Sequence, residues 1–327
     1  MPCRFWLTDS IGLMTTEVEI VPIGKPAAAQ DGVDRRATAA RWLLLSPAVA
    51  VVSIIGVAPM AIILVYSFLR PGYYGGVEWT FNFENYIQFL FTRDLFDETL
   101  SFDPAYLAIF GRSALQAGFA TFASLLLGFP TAYYIATRRP RWRNMLAFLI
   151  TIPFWTNLLI RTYAMLLLLR DDGLINSLLL ATGVIKHPLQ MVYTDFAIAV
   201  GLVYTYLPFM VLPIYAAIER LDFRLVEAGF DLYATRAQVL RRIIIPIARP
   251  GIIAGALLVF IPSLGTYITA VLLGGGRKLM IGNLIANQFG ESRNWPLGSA
   301  LTVILLACVV VALLIYIRQM PKQVRHG

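Results

Sequence analysis

Six long apolar runs, separated by short polar segments, constrain the fold of this chain more than any other feature. Each run is long enough to cross a bilayer, because a helix needs about 20 predominantly apolar residues to span roughly 30 Å of hydrocarbon. The runs cover residues 43–69, 113–136, 145–169, 195–218, 251–273 and 297–317. The sequence therefore predicts an all-α integral membrane protein with six transmembrane helices.

The composition agrees with this prediction. Hydrophobic residues make up 58% of the 327 residues and charged residues only 14%, whereas average proteins contain about 25% charged residues. Pro47, Pro59 and Pro262 lie within the runs. Transmembrane helices tolerate proline where neighbouring groups satisfy the freed backbone, so these prolines do not argue against the spans.

Basic residues are distributed unequally between the two sides of the predicted spans. Most are on the side that carries both termini, and the few on the other side are diluted by carboxylates. Those of the basic side are Arg35, Arg36, Arg41, Arg138, Arg139, Arg141, Arg143, Arg220, Arg224, Arg236, Arg241, Arg242, Arg249, Arg318, Lys322 and Arg325. The positive-inside rule therefore places both termini and the loop at residues 227–246 in the cytoplasm. Nucleic-acid binding is not indicated, because these residues are split among short loops and form no single stripe.

The chain divides into a membrane domain with a tail at each end. Residues 1–40 are mixed polar and lack the continuous apolar core of a cleavable signal peptide, so we predict a disordered cytoplasmic tail. Residues 41–319 form the predicted six-span domain, and residues 320–327 form a cytoplasmic C-terminal tail.

The sequence contains no pattern for enzyme chemistry. Cys3 and Cys308 lie at opposite ends of the chain, and His187 and His326 are isolated, so neither a metal site nor a catalytic triad is indicated. The run at residues 274–278, Gly-Gly-Gly-Arg-Lys, lacks the Gly-Lys-Ser/Thr of a phosphate-binding loop. We therefore predict no enzyme activity, no metal and no cofactor, and an energy source in a partner protein.

A charged, helix-patterned segment at residues 222–246 separates the fourth and fifth runs. Asp222 is a plausible N-cap, and apolar residues after it fall on one helical face. A second helical face follows residue 235, and Pro246 and Pro250 are expected to end that helix before the fifth span. Two short helices at an angle would form a knob protruding from the membrane. The alternative is an interfacial linker helix whose arginines contact lipid phosphates.

This segment resembles the coupling motif of permease subunits from binding-protein-dependent, ATP-driven importers. That motif has Glu-Ala-Ala, then a glycine, and later Ile-x-Leu-Pro; here Gly229 replaces the third residue and Tyr233 the turn glycine. The resemblance implies a type I ABC importer permease fold with a cytoplasmic coupling helix that contacts the ATPase. The residues it implicates are Glu227, Ala228, Gly229, Tyr233, Arg236, Arg241 and Pro246.

Three further stretches are similar to permeases of the spermidine/putrescine type. They lie at residues 154–164, 260–285 and 295–298. This resemblance implies a multi-pass protein of the bacterial inner membrane whose partners are ATPase subunits, a second and different permease chain, and a periplasmic binding protein. It implies a polyamine substrate. Val271 occupies the position where such permeases commonly carry an acidic residue, so other small polar nitrogenous solutes remain open.

The candidate residues of a solute pathway form two polar stripes. Arg161 is the charge inside a predicted span, and placing it there costs about 2.5–3.5 kcal/mol on insertion scales. It is either a pathway or gate residue, or a structural arginine tied to helix-end carbonyls or to a carboxylate, with Asp195 the nearest candidate. Asn157 lies one helical turn away on the same face. The second stripe surrounds Pro262, where a broken helix would expose backbone to a cavity, and comprises Ser263, Thr266 and Tyr267.

An aromatic-rich segment at residues 71–110 joins the first two runs on the predicted outer side. Within it, Phe83, Tyr86, Ile87, Phe89 and Leu90 fall near helical spacing and predict an interfacial helix, since tryptophan and tyrosine gather at the membrane–water boundary. The segment could equally serve as a docking surface for a periplasmic partner, and the two readings are compatible.

The alternative function from another class is a secondary carrier driven by an ion gradient. Such a carrier needs ionisable coupling residues near the middle of the membrane and usually an internal repeat. Arg161 alone does not supply the former, and no duplication is evident in the sequence.

Overall fold

The computed structural model describes residues 30–93, 100–276 and 278–319. It divides into two compact units, one up to Pro59 and one from Met60 onward. The helices are α1 Gln30–Tyr66, α2 Glu84–Ile87, α3 Ala105–Ala136, α4 Pro140–Trp155, α5 Leu158–Leu169, α6 Leu174–Ala181, α7 Asp195–Glu219, α8 Arg224–Asp231, α9 Arg236–Val239, a π-helical turn Leu240–Ile244, α10 Ile245–Leu264, α11 Ile268–Gly274, α12 Ile281–Phe289 and α13 Trp295–Gln319. The short strands are β1 Leu69–Pro71, β2 Val77–Phe81, β3 Phe91–Arg93 and β4 Leu100–Phe102.

Among the residues that the structure describes, five helical segments are long and apolar enough to cross a membrane, or up to six if one bent pair is a single span. The five are Leu45–Tyr66, Ala105–Ala136, Asp195–Glu219, Arg236–Leu264 and Trp295–Leu314. The bent pair is Pro140–Trp155 with Leu158–Ala181, which meet at an angle of 91°. The predicted all-α membrane fold is confirmed, with six spans if the bent pair is counted as one.

The third predicted span is not a continuous helix, contrary to its unbroken apolar pattern. Helix α4 ends at Trp155, just after Pro153, and Thr156 is extended with ψ 147°. Asn157 then begins α5 as an N-cap, its Oδ1 accepting a hydrogen bond from the Leu159 backbone N–H at 2.8 Å. Asparagine is among the strongest N-cap residues, so one polar side chain starts a new helix inside an apolar run. We call this break, residues 156–157, the elbow.

The expectation that Pro246 and Pro250 end a helix before the fifth span is wrong. The helical path continues from Arg236 to Leu264. Proline removes one hydrogen bond and crowds the preceding turn, and here the turn before Pro246 is a wider π-helical turn, in which Ile245 N–H donates to the Leu240 carbonyl. The helix breaks later, at residues 265–267 just after Pro262, and α11 follows. The fifth span is therefore displaced toward the N-terminus from its predicted bounds.

Several predicted element starts also differ from the structure. Helix α1 begins at Gln30, so residues 30–40 are helical and not a disordered tail; residues 1–29 and 320–327 lie outside the described residues. Helix α3 begins at Ala105 instead of residue 113. Phe223, not Asp222, is the N-cap of α8, although Asp222 Oδ1 accepts a hydrogen bond from the Arg224 backbone N–H at 3.0 Å.

The core forms where α3, α7 and α10 pack closely against one another. Met210, Val211 and Ile214 of α7 are fully buried in it. Small residues allow this approach, as is common between membrane helices. A Cβ at Gly251 of α10 would lie 2.4 Å from the Pro213 carbonyl oxygen, so α7 and α10 touch along their backbones.

The described residues of the aromatic segment after α1 include two short antiparallel strand pairs, β1–β2 and β3–β4, and one helical turn, α2. This turn lies within the stretch of helical spacing at residues 83–90 but is shorter than that stretch. Buried Asn85 fixes the first hairpin, because its Nδ2 donates to the carbonyls of Ser67 at 3.1 Å and Leu69 at 2.8 Å. Tyr73 and Tyr74 are 90% exposed at the hairpin tip.

Candidate functional site

Residues 222–246 form two short helices, α8 and α9, which pack against each other through buried Val226, Gly229 and Val239. A Cβ at Gly229 would lie 3.0 Å from Cδ1 of Ile243, so α8 rests closely on the π-helical turn. Thr235 caps α9 in a capping box with Gln238. The segment is a compact knob, and we use that name for residues 222–246 below.

Tyr233 forms the turn between the two helices in a left-handed conformation, with φ 57°. Its N–H donates to the Phe230 carbonyl at 2.9 Å, and the N–H of Ala234 donates to the Gly229 carbonyl at 3.1 Å. This pair of bonds is the Schellman arrangement that usually places glycine at the left-handed position. The turn geometry therefore persists although tyrosine stands where the resembling family has glycine.

We expect Tyr233→Gly to stabilise the protein by about 0.5–1 kcal/mol, because relief of left-handed strain exceeds the extra chain entropy of glycine. Thermal unfolding in detergent measures the change. Tyr233→Ala is the matched control, since it removes the ring but retains the Cβ that causes the strain. Equal stability of the two variants would show that the turn is not strained.

The knob presents its remaining candidate residues to the outside. Leu232 is 81% and Tyr233 97% exposed at the turn, and these large apolar side chains form its tip. The charged and small candidates Glu227, Ala228, Arg236, Arg241 and Pro246 are also exposed. Among the described residues, Glu227 has no ion-pair partner. The surface combines apolar and charged groups that the fold itself leaves uncovered.

Arg161 lies beside the elbow and is only 7% exposed. Its Nη1 donates a hydrogen bond to the Pro153 carbonyl at the end of α4, at 3.2 Å, while its buried Nε has no partner. The sequence left open whether Arg161 is tied to helix-end carbonyls or to a carboxylate, and the structure shows a contact with one helix-end carbonyl. The side chain of Asn157 caps α5 and is exposed, so it does not continue a buried stripe with Arg161.

The proposed pairing of Arg161 with Asp195 is wrong. The Asp195 carboxylate instead forms an ion pair with Arg112 of α3, and Lys278 Nζ lies 3.6 Å from its Oδ2. Gln116 Nε2 also donates to the Asp195 backbone carbonyl at 3.3 Å. Asp195 joins α3, α7 and the segment before α12, because two cations face it from those elements.

Tyr206 of α7 connects the elbow to the break after α10, and sequence reasoning missed it. Its hydroxyl donates to the Pro262 carbonyl at 3.4 Å, and the side chains of Thr266 and Arg161 lie near it. Phe154 of α4 and Phe209 of α7 pack edge to face beside it, with ring centroids 5.1 Å apart. A tyrosine in an apolar run carries no local signal that distinguishes this role from packing.

The elbow and the break after α10 therefore both lie next to Tyr206 of α7. Of the second predicted stripe, Thr266 is 7% exposed and lies at this junction, and Tyr267 is 46% exposed. Ser263 does not line it, because it is fully buried and its hydroxyl donates to the Val259 carbonyl at 2.6 Å. Gly282 of α12 closes the break from the other side, since a Cβ there would lie 2.5 Å from the Gly265 carbonyl oxygen.

A cavity of about 560 Å³ lies between the end of α5, the start of α7 and the end of α11. Its lining combines carboxylates, tyrosines and one guanidinium. The polar and aromatic lining residues are Tyr163, Arg170, Asp171, Asp172, Gln190 and Tyr193. Val271 lines the same cavity. We call it the outer cavity, after the side on which the sequence places it.

The helices long enough to span a membrane and the polar breaks within them place this chain among membrane proteins. The chain belongs to the family of inner membrane components of binding-protein-dependent transport systems, whose model matches residues 124–324. This assignment confirms the sequence resemblance and excludes the secondary carrier.

Individual relatives agree with the family. The chain is 43% identical to the spermidine/putrescine transport system permease protein PotB of Escherichia coli K12, over 72% of this chain and 84% of that protein. It is 33% identical to the inner membrane ABC transporter permease protein YdcU of the same strain, over 65% and 71%. A chain of a bacterial alginate ABC transporter superposes with a TM-score of 0.65 at 16% identity, covering 86% of this chain and 94% of that one, which shows a shared fold.

Proposed function

We propose that this chain is one of two different permease subunits of an ATP-driven importer, and that it conducts a polyamine such as putrescine or spermidine by alternating access. A periplasmic binding protein delivers the solute, and separate cytoplasmic subunits hydrolyse ATP. Both termini face the cytoplasm. The observation that carries the choice of substrate is the lining of the outer cavity, and the 43% identity to a spermidine/putrescine permease supports it.

The chemistry of the outer cavity fits a flexible molecule with several positive charges. Two carboxylates, Asp171 and Asp172, and one guanidinium, Arg170, leave the lining with a net charge of about −1. Tyr163 and Tyr193 add aromatic faces, which attract ammonium groups through the ring quadrupole. Carboxylates and aromatic faces are the groups that a cation needs on leaving bulk water.

The position of Val271 resolves the departure from the polyamine pattern noted in the sequence. Val271 lines the same cavity as Asp171 and Asp172. A carboxylate at position 271 would therefore face the same cavity as the carboxylates at 171 and 172. In this chain the turn after α5 supplies the negative charge that α11 lacks. The valine does not argue against a cationic solute.

We expect the double substitution Asp171→Asn/Asp172→Asn to reduce putrescine uptake about tenfold or more, because it removes both carboxylates from the cavity. Adding Val271→Asp should restore most of the uptake, since it returns one negative charge to the same space. Uptake of labelled putrescine into proteoliposomes with the complete transporter and its binding protein measures both effects.

The exposed carboxylate Glu291 on the same predicted side supplies the control, and Glu291→Gln should leave uptake unchanged. Uptake that is insensitive to the double substitution would remove the outer cavity from the pathway. Loss of uptake without rescue by Val271→Asp would mean that Asp171 and Asp172 act by position and not through charge in the cavity. A wild type that carries neither putrescine nor spermidine would overturn the choice of substrate.

The knob supports a second part of the proposal, docking to the ATPase. Its two helices are fixed to each other by Gly229 and by the turn at Tyr233, so force on its tip would move it as a unit. The same chain path continues from α9 into α10 without a break. A displacement of the knob would therefore be carried directly to the Pro262 break and Tyr206.

A further inference from the structure

The guanidinium of Arg161 is buried where the two broken spans meet, and no described carboxylate forms an ion pair with it. It is 7% exposed, and its polar contact is the neutral Pro153 carbonyl. No carboxylate pairs with it among the residues that the structure describes, since Asp195 is bound to Arg112 and lies near Lys278. Its Nε has no partner. A buried arginine that served only structure would normally be paired or fully hydrogen-bonded.

The surroundings of Arg161 combine a sharp bend in one span with a break in another. The elbow gives the chain a 91° bend, and the helix opposite breaks at residues 265–267. Tyr206 connects these two breaks, and Phe154 and Phe209 pack beside it. Irregular backbone at membrane depth is tolerated where it is buried in protein or lines a water-filled cavity. Aromatic rings and one buried positive charge therefore lie together where the backbone of two spans is irregular.

We infer that Arg161 is an electrostatic barrier that keeps the resting transporter closed to small cations. A guanidinium remains protonated in proteins, so its field is permanent, and a positively charged group at a pore constriction excludes protons and other cations. A polyamine carries several positive charges and needs the elbow to move before it passes, whereas K⁺ or H⁺ would otherwise leak through any water-filled gap. The inference rests on the proposed function, because it treats the elbow as part of the solute pathway.

The test uses the assembled transporter in proteoliposomes, without ATP or binding protein, and measures K⁺ and Cl⁻ leakage separately. Arg161→Met keeps much of the side-chain volume but removes the charge, and we expect K⁺ leakage to rise about tenfold while Cl⁻ leakage does not rise. Arg161→Lys retains the charge and should stay near the wild type. Arg141→Met, at an exposed arginine of α4, is the control for loss of an arginine.

A second variant places a negative charge near Arg161 and leaves Arg161 itself in place. Asn157→Asp puts a carboxylate one helical turn from Arg161, and aspartate is as good an N-cap as asparagine, so folding is preserved. K⁺ leakage should rise in this variant also, by less than in Arg161→Met. The two variants together make the result independent of whether removal of the arginine disturbs assembly.

Two results would overturn the barrier. Unchanged K⁺ leakage in both assembled variants would show that the charge does not hold back cations. An equal rise of K⁺ and Cl⁻ leakage would show that Arg161 closes the site by its volume. Putrescine uptake by the same preparation, measured after ATP and the binding protein are supplied, separates the two proposals. Absence of uptake by the wild type removes the proposed function, whereas normal uptake with unchanged leakage removes only the barrier.

Discussion

Glu227→Lys should abolish transport while the protein still inserts and folds. Glu227 is exposed on α8 of the knob and has no ion-pair partner among the described residues. Reversal of its charge therefore breaks no ion pair and costs the fold only the favourable position of a carboxylate in the first turn of α8, about 0.3–1 kcal/mol. A group on the ATPase that binds the Glu227 carboxylate would then face a lysine. The like charge would cost several kcal/mol of binding free energy between the permease and the ATPase. We expect uptake to fall about a hundredfold, with loss of the ATPase stimulation by the loaded binding protein.

The measurement combines uptake, ATPase activity and the amount of permease in the membrane for the same preparation. Glu291→Lys is the matched control, because it makes the same charge reversal at an exposed position outside the knob. Normal uptake together with normal ATPase stimulation in Glu227→Lys would exclude Glu227 from coupling. Loss of the permease from the membrane would show that Glu227 has a structural role that its exposure does not suggest.

Gly282→Ala should destabilise the protein and reduce transport together. A Cβ at Gly282 would lie 2.5 Å from the Gly265 carbonyl oxygen and 2.6 Å from that of Thr266. Both atoms belong to the backbone of the break after α10, so no side-chain rotation can relieve the contact. Overpacking of this kind costs about 1–3 kcal/mol, and it would also displace Thr266 from Tyr206. Thermal unfolding in detergent and putrescine uptake measure the two effects.

The control for this prediction is Gly118→Ala on α3. A Cβ at Gly118 would meet no described atom within 4 Å, and alanine favours a helix interior over glycine by about 0.5–1 kcal/mol. The control should therefore be neutral or slightly more stable. Equal stability of Gly282→Ala and Gly118→Ala would show that α12 does not pack closely against the backbone of residues 265–266.

The sequence by itself determined the class of fold and the outline of the knob. Six apolar runs predict the spans because membrane crossing depends on the length and polarity of a local segment. The capping and turn residues of the knob act within a few positions of one another, so α8 and α9 could be predicted from the pattern. The sequence was less informative about where individual helices end. Asn157 interrupts an apolar run and begins a new helix, whereas Pro246 does not end the helix in which it lies.

Only the tertiary structure decided which polar residues meet. Asp195 pairs with Arg112, which is 83 positions earlier, and not with Arg161, although depth along the spans favoured the latter. Val271 shares a cavity with Asp171 and Asp172, and Tyr206 joins two breaks that belong to different spans. In each case the partners come from separate helices, and their approach depends on how α3, α7 and α10 pack through small residues such as Gly251. Helix periodicity reports which face of a segment is apolar, but it contains no information on which distant segment covers that face.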